Sequence, residues 1–334
     1  MRRALVLVAA LWAGTAAAEA PVAAIVEGHV LPGFTRLAEA SATLDATADD
    51  HCAPEDPALR AAWGAAFDAW IAVSHLRFGP TETGDRAFAL AFWPDSRGAT
   101  PKALAGLIAA RDPVVETAEG FATVSIAARG FHALEFLIYD PAFTGDDAAA
   151  YRCALVQAMA GDIARIAADI LTDWRADYAE RMRDAGGNDT YRTPDEAAQE
   201  LFKAVSTGLQ FTSDTRLGRP LGTFDKPRPT RAEAWRSGRS LRHVVMSLDG
   251  TRDLALMLAE GHPEAAAALD AAYGRAFAIA RDLDDPVFAG VETPEGRFQV
   301  EILQQAVDAI RRVVAQDLGP TLGVAAGFNA LDGD

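Results

Sequence analysis

The chain reads as all-α, with two four-helix-bundle-like halves packed together, on three observations. Alanine-rich stretches with apolar residues at helical spacing recur along its 334 residues, while alternating β-branched runs are nearly absent. Half of the residues are hydrophobic, enough for a large core. Helix breakers concentrate in DAGGNDTYRTP, Asp184 to Pro194, between two blocks that each hold enough helix for a four-helix bundle.

The first twenty residues, MRRALVLVAALWAGTAAAEA, join Arg2 and Arg3 to an apolar stretch from Ala4 to Trp12 and end in small residues. That is the pattern of a signal peptide cleaved after Ala18 or Ala20. The apolar stretch is too short to span a bilayer, and no cysteine stands near the cleavage region to carry a lipid. The expectation is an exported, periplasmic chain with no membrane span in its mature part.

In the first half, residues 21–185, helices are expected over 22–48, 55–78, 100–110, 113–139 and 145–184. In the second, residues 186–334, they are expected over 195–217, 230–259, 263–283 and 294–317. Thr100-Pro101, Thr193-Pro194 and Thr293-Pro294 each offer a cap residue followed by proline at the first helical position. Leu217 to Thr230, LGRPLGTFDKPRPT, contains three prolines and reads as a long crossover or functional loop.

A formal net charge of −16 repels phosphate backbones and anionic lipid, which sets nucleic-acid and membrane-surface binding aside. The two cysteines, Cys52 and Cys153, form an even count in a chain marked for export, so a disulfide is expected, with a pair of buried thiols as the alternative.

The chemistry concentrates in GFHALEFLIYD, residues 130–140, where His132 and Glu135 interrupt an apolar helical run. Residues three apart share a helix face, so both side chains can reach one point. Extended backwards on one continuous helix, that face also takes in Arg129 and Ser125. Gly130, costly inside a helix, marks a place where something approaches the backbone closely. Imidazole plus carboxylate suits iron, zinc or manganese, and a small polar ligand or a buried hydrogen-bonded pair would satisfy the same residues. No His-Glu-x-x-His motif supports zincin-type proteolysis.

Further candidates lie elsewhere. SHLRFGPTE, residues 74–82, brings His75, Arg77 and Glu82 around Gly79-Pro80 and could complete the site. KPRPTRAEAWRSGRSLRH, residues 226–243, is a basic block expected mostly to bridge to acids of the first half, with Arg239 kept as a ligand candidate.

Taken together, GFHALE, the FGP segment, WRSGRS and the terminal GFNALDGD resemble the imelysin family of exported bacterial proteins, over most of the chain. The resemblance implies two four-helix bundles, a cell-envelope setting and an association with iron acquisition, with a metal ion or an envelope iron-uptake protein as partner. It also implies His132 and Glu135 as the metal-binding pair of a family classed as metallopeptidases, with iron or zinc as the metal and Glu135 as the catalytic residue if peptides are cut. The residues themselves supply no evident third ligand, general base or oxyanion donor. A non-enzymatic binding protein is therefore the leading expectation, a metal-dependent peptidase the alternative, and a structural or partner-binding envelope protein the third reading.

Overall fold

The computed structural model describes residues 21–323; the expected signal peptide and the GFNALDGD end lie outside the described residues. Helix α1 covers residues 22–50, α2 Pro57–Val73, α3 Ala99–Ala110, α4 Gly130–Tyr139 and α5 residues 149–183. In the second half α6 covers residues 194–221, α7 Ser240–Leu258, α8 Pro263–Asp282 and α9 residues 294–318. Among the described residues the only β pairing is an isolated bridge between Thr223 and Lys226. The fold is all-α, and no described helix is long and apolar enough to cross a membrane.

Local chemistry explains most helix starts. Asp56 accepts a hydrogen bond from the Ala58 N–H, with Pro57 at the first helical position of α2. Thr193 and Thr293 cap α6 and α9 through the Glu196 and Gly296 N–H groups, as their Thr-Pro pairs predict. Thr100 does not cap α3. That helix begins at Ala99, and Asp95 accepts from the Ala99 and Thr100 N–H groups instead. A carboxylate four residues upstream satisfies two orphan donors where a threonine hydroxyl would satisfy one.

The segment expected as one helix over 113–139 is broken. Short 3₁₀ turns at Pro113–Glu116 and Ile126–Ala128 flank a short helix at Ala118–Ala122, and α4 starts only at Gly130. The stretch expected as helix over 230–239 is also irregular: Ala234 and Gly238 sit at φ 49° and 75°, left-handed values that an α-helix does not admit. Helix α2 stops at Val73 rather than near 78, before the FGP turn, where Gly79 lies at φ 56° with the Tyr178 ring against it.

In the first half α1 packs against α2 and α5; in the second α8 packs on α9 and α6 on α7. Helices α2 and α7 pack directly on each other, so the apolar core runs continuously from Phe34, Trp63 and Phe67 to Leu248 and Leu254. This contact sets the geometry of the site, because α2 and α7 each send an aromatic or ionisable side chain to it. A Cys52–Cys153 disulfide, Cα–Cα 5.0 Å, ties the turn after α1 to α5.

Candidate functional site

Gly130 opens α4 at φ 75°. A Cβ there would lie 2.2 Å from the carbonyl oxygens of both Ala89 and Leu90. The glycine lets another backbone segment lie against the first turn of α4, which fixes where His132 and Glu135 point. Gly130→Ala combines left-handed strain of about 1–2 kcal/mol with that clash. The expected result is a loss of about 2 kcal/mol or more in urea unfolding, with weaker ligand retention because α4 must shift.

His132 is buried between two aromatic rings. Phe67 of α2 meets it edge-on at 5.0 Å between centroids, and Trp93 stacks on it at 6.1 Å. Its Nε2 atom has no hydrogen-bond partner and lies 3.7 Å from Glu233 Oε1, beyond hydrogen-bonding distance. Glu135, one turn on, accepts two hydrogen bonds at Oε1, from the Ser237 N–H at 2.9 Å and the Ser237 hydroxyl at 2.7 Å. Its Oε2 takes none among the described residues.

Glu233 sits at the centre of a buried ionic cluster. Its Oε2 accepts from Arg216 Nε at 2.7 Å and lies 3.2 Å from His243 Nδ1. Burial alone would raise this carboxyl, but the Arg216 charge, with His132 and His243 beside it, outweighs burial and holds it well below the usual carboxylate range. Arg216 comes from the π-helical turn Phe211–Leu217 of α6, which redirects side chains relative to a regular helix. It also donates to Ser247 Oγ at 3.2 Å and weakly to Thr212 and Ser74. His243 is fully buried; burial lowers its pKa despite the Glu233 charge, which keeps the ring neutral. The cluster thus joins α2, α4, α6, α7 and the irregular 232–239 segment.

Outside this cluster lies a cavity of about 210 Å³ whose lining includes His132, Glu135, Trp93, Arg219, Arg231 and Trp235. Arg219 Nε is buried without a hydrogen-bond partner, and its guanidinium lies 5.8 Å from the Trp93 ring centroid. Burial, and then the Arg231 charge, push Arg219 below the usual arginine range. Neither Arg219 nor Arg231 has an acidic partner within ion-pair distance among the described residues, unlike Arg236 at the cavity edge, which Asp140 neutralises at 2.6 Å.

The other sequence candidates fall elsewhere. Ser125 is exposed, and Arg129 precedes α4 in an extended conformation, so the continuous face that would align them with His132 does not exist. Arg129 instead makes a bidentate pair with Asp162 of α5, at 2.8 and 2.9 Å, and donates to the Ala122 carbonyl. Arg77 and Glu82 pair with each other at the surface. Arg239 donates to Asp68 and to the Gly64 carbonyl, tying the halves together without lining the cavity. Arg236 and Arg242 also bridge to first-half acids, Asp140 and Asp68, as the basic block predicts.

His75 does not join His132 either. It is buried against His29, with the two Nε2 atoms 3.0 Å apart, so one ring donates and the other accepts. The accepting nitrogen must be unprotonated, so at most one of the two rings can be charged in this arrangement. Burial, and then the charge of Arg36, lower His29 to about 4, and burial takes His75 well below its ordinary value. The unfolded chain therefore binds more protons as pH falls below about 6.5. Stability is complete above that pH and declines towards pH 4, by about 3 kcal/mol for His29 alone. Urea midpoints between pH 7 and pH 4 should fall steeply in the wild type and less in His29→Gln; equal slopes would remove this role.

Sequence reasoning missed Glu233, Arg216 and the Trp93–Arg219 wall. One signal was present: Glu233 is the sole acidic residue between Lys226 and Leu248, and an isolated acid inside a basic block marks an internal partner.

The metal expectation can be weighed on the donors. Among the described residues no group of three or more His, Cys, Asp and Glu side chains converges as metal ligands do. A catalytic zinc takes three protein ligands and leaves one position open. His132 and Glu135 therefore do not fit a resident catalytic metal held by the protein alone.

An iron-regulated protein A from Synechococcus elongatus is 24% identical over 322 residues, covering 88% of this chain and 84% of that protein. Among solved structures, an imelysin-like protein from Psychrobacter arcticum superposes with a TM-score of 0.77 at 21% identity, over 92% of this chain and 96% of the other. A putative iron-regulated protein A precursor from Parabacteroides distasonis gives 0.72 at 14% identity, over 89% and 93%. The family model described as Imelysin matches residues 30–314, nearly the whole described fold and all of the site, and the chain belongs to the imelysin family.

Proposed function

We propose that this chain is an exported, periplasmic binding protein of iron acquisition, without catalytic activity, that takes a small polar ligand or a metal carried with its own ligands at the His132–Glu135 cavity. The observation that carries the reading is a buried imidazole, 5% exposed, whose Nε2 makes no hydrogen bond and whose ring lines a cavity beside the Glu135 carboxylate. Leaving a buried polar atom unsatisfied costs about 1–3 kcal/mol, so a ligand that reached the His132 nitrogen would recover that stability. The iron connection rests on the names of two relatives, one described as iron-regulated protein A and one as its precursor. The leader-like first twenty residues support export.

Metal content and ligand retention of protein purified from the periplasm, beside His132→Ala and Glu135→Ala, test the reading. Bound iron or another retained ligand in the wild type, lost in both variants while the helical circular dichroism persists, is the expected outcome. Equal content in all three, including none, would overturn it. The alternative of a metal-dependent peptidase requires chelator-sensitive cleavage in a broad peptide library supplied with metal. The third reading, a structural or partner-binding envelope protein, requires both substitutions to lower stability and nothing else.

A further inference from the structure

The lining of the cavity that holds His132 and Glu135 also carries two guanidinium groups with no acidic partner among the described residues. Arg219 and Arg231 face the same space, are close enough for the charge of one to disfavour that of the other, and have no carboxylate within ion-pair distance among the described residues. In a chain of net charge −16, two cations are brought together here while many acids elsewhere remain without them. Arg219 Nε is buried without a partner, although the rest of the group reaches Ser96 Oγ at 3.4 Å. Arg231 is exposed and Arg219 half-buried, so the cost to the fold lies in the buried, unsatisfied Arg219 Nε donor, which an incoming anion would satisfy.

The acids that line the cavity do not supply that anion. Asp95 spends both oxygens on backbone N–H groups of Arg97, Ala99 and Thr100. Glu135 is committed at Oε1 to Ser237, on the side where His132 also lies. The lining therefore offers both cationic donors and a carboxylate. A simple anion would satisfy the arginines and meet repulsion from Glu135. A ligand carrying both an acid group and a hydrogen-bond donor would satisfy both.

We infer that the cavity binds a small hydroxy- or amino-carboxylate, with its carboxylate on Arg219 and Arg231 and its hydroxyl or ammonium donor on Glu135 Oε2. Guanidinium pairs favour carboxylates through parallel N–H···O bonds. The volume of about 210 Å³ lies below the roughly 300 Å³ at which drug-sized sites begin, which suits an acid of a few carbons. Trp93 and Trp235 supply apolar walls for its carbon skeleton. The inference rests on the reading of this cavity as a ligand site and specifies the chemistry of what enters it.

Isothermal titration of the full mature chain in a carboxylate-free, low-salt buffer tests the inference, with malate, citrate and glutamate as probes, and succinate and inorganic phosphate as controls. Ferric iron is titrated separately. At least one of the three probes should bind at a single site, at least tenfold more tightly than succinate or phosphate, and lose at least tenfold in Arg219→Ala and in Arg231→Ala. Glu135→Gln should reduce the margin of that probe over succinate, by weakening the probe and by relieving the repulsion that succinate meets. Thermal melts of each variant without ligand separate lost binding from lost fold, and Arg219→Lys keeps the charge as a second variant. No carboxylate binding alongside retained iron binding overturns this inference and leaves the site reading standing; binding of neither overturns both. Phosphate binding as tightly as the best probe overturns the carboxylate assignment, and succinate binding as tightly overturns the role of the donor.

Discussion

Glu233→Ala is expected to destabilise the protein by about 3–5 kcal/mol, because it leaves Arg216 as an uncompensated charge in the core. Arg216 is 3% exposed and Glu233 4%, and the remaining neighbours of the guanidinium are hydroxyls, at 3.2 Å or more. A double variant, Arg216→Met with Glu233→Leu, should recover much of the loss, since apolar replacement of a buried pair is often near neutral. Urea unfolding of both singles and the double measures the coupling; additive losses would show that the two side chains do not act as a pair. The pair also has a defined acid limit. Because Glu233 is held well below its ordinary value of 4.5, its contribution is present above that pH and disappears only as pH falls through the depressed folded value. Loss of stability between pH 6.5 and 4 therefore belongs to the buried histidines, the His29–His75 pair and His243, which burial holds neutral.

Removing the Cys52–Cys153 bond should cost about 3–4 kcal/mol. The bond spans a sequence separation of 101 residues, and the loss of loop-closure entropy in the unfolded chain grows with the length of the closed loop. In a fold of this size the melting temperature should drop by roughly 5 °C. Both cysteines are partly accessible, so a reductant should reproduce the effect of a Cys52→Ser/Cys153→Ser variant. Differential scanning calorimetry with and without reductant checks this; a melt insensitive to both would place the stability of the α1–α5 packing in the apolar contacts alone. Because the bond ties the turn after α1 to α5 and not to the cavity, ligand binding measured well below the melting temperature should be unchanged.

The helices were legible because the signals that make them are local. Apolar spacing placed α8 and α9 within about two residues of their observed ends, and Thr193 and Thr293 cap as their Thr-Pro pairs predict. The 113–139 and 230–239 segments were misread for one physical reason. Both are rich in helix-forming residues, yet Gly130, Ala234 and Gly238 take left-handed conformations that end a helix. Gly130 lies against the Ala89 and Leu90 carbonyls. In the 232–239 segment the irregular path lets Glu233 turn inward to Arg216 while Ser237 reaches Glu135.

The sequence by itself determined the helical class, the expectation of a disulfide, the family motifs and the singular position of His132 and Glu135 one turn apart on a helix. Those follow from periodicity, residue chemistry and spacing within a few turns. Only the tertiary structure decided what surrounds that pair. It withdrew Ser125, Arg129, His75, Arg77, Glu82 and Arg239 to other tasks, and brought in Glu233, Arg216, His243, Trp93 and Arg219 from segments far apart in the chain. Which ions neutralise one another in a core depends on how helices pack, and α2 against α7 is a contact that no local pattern encodes.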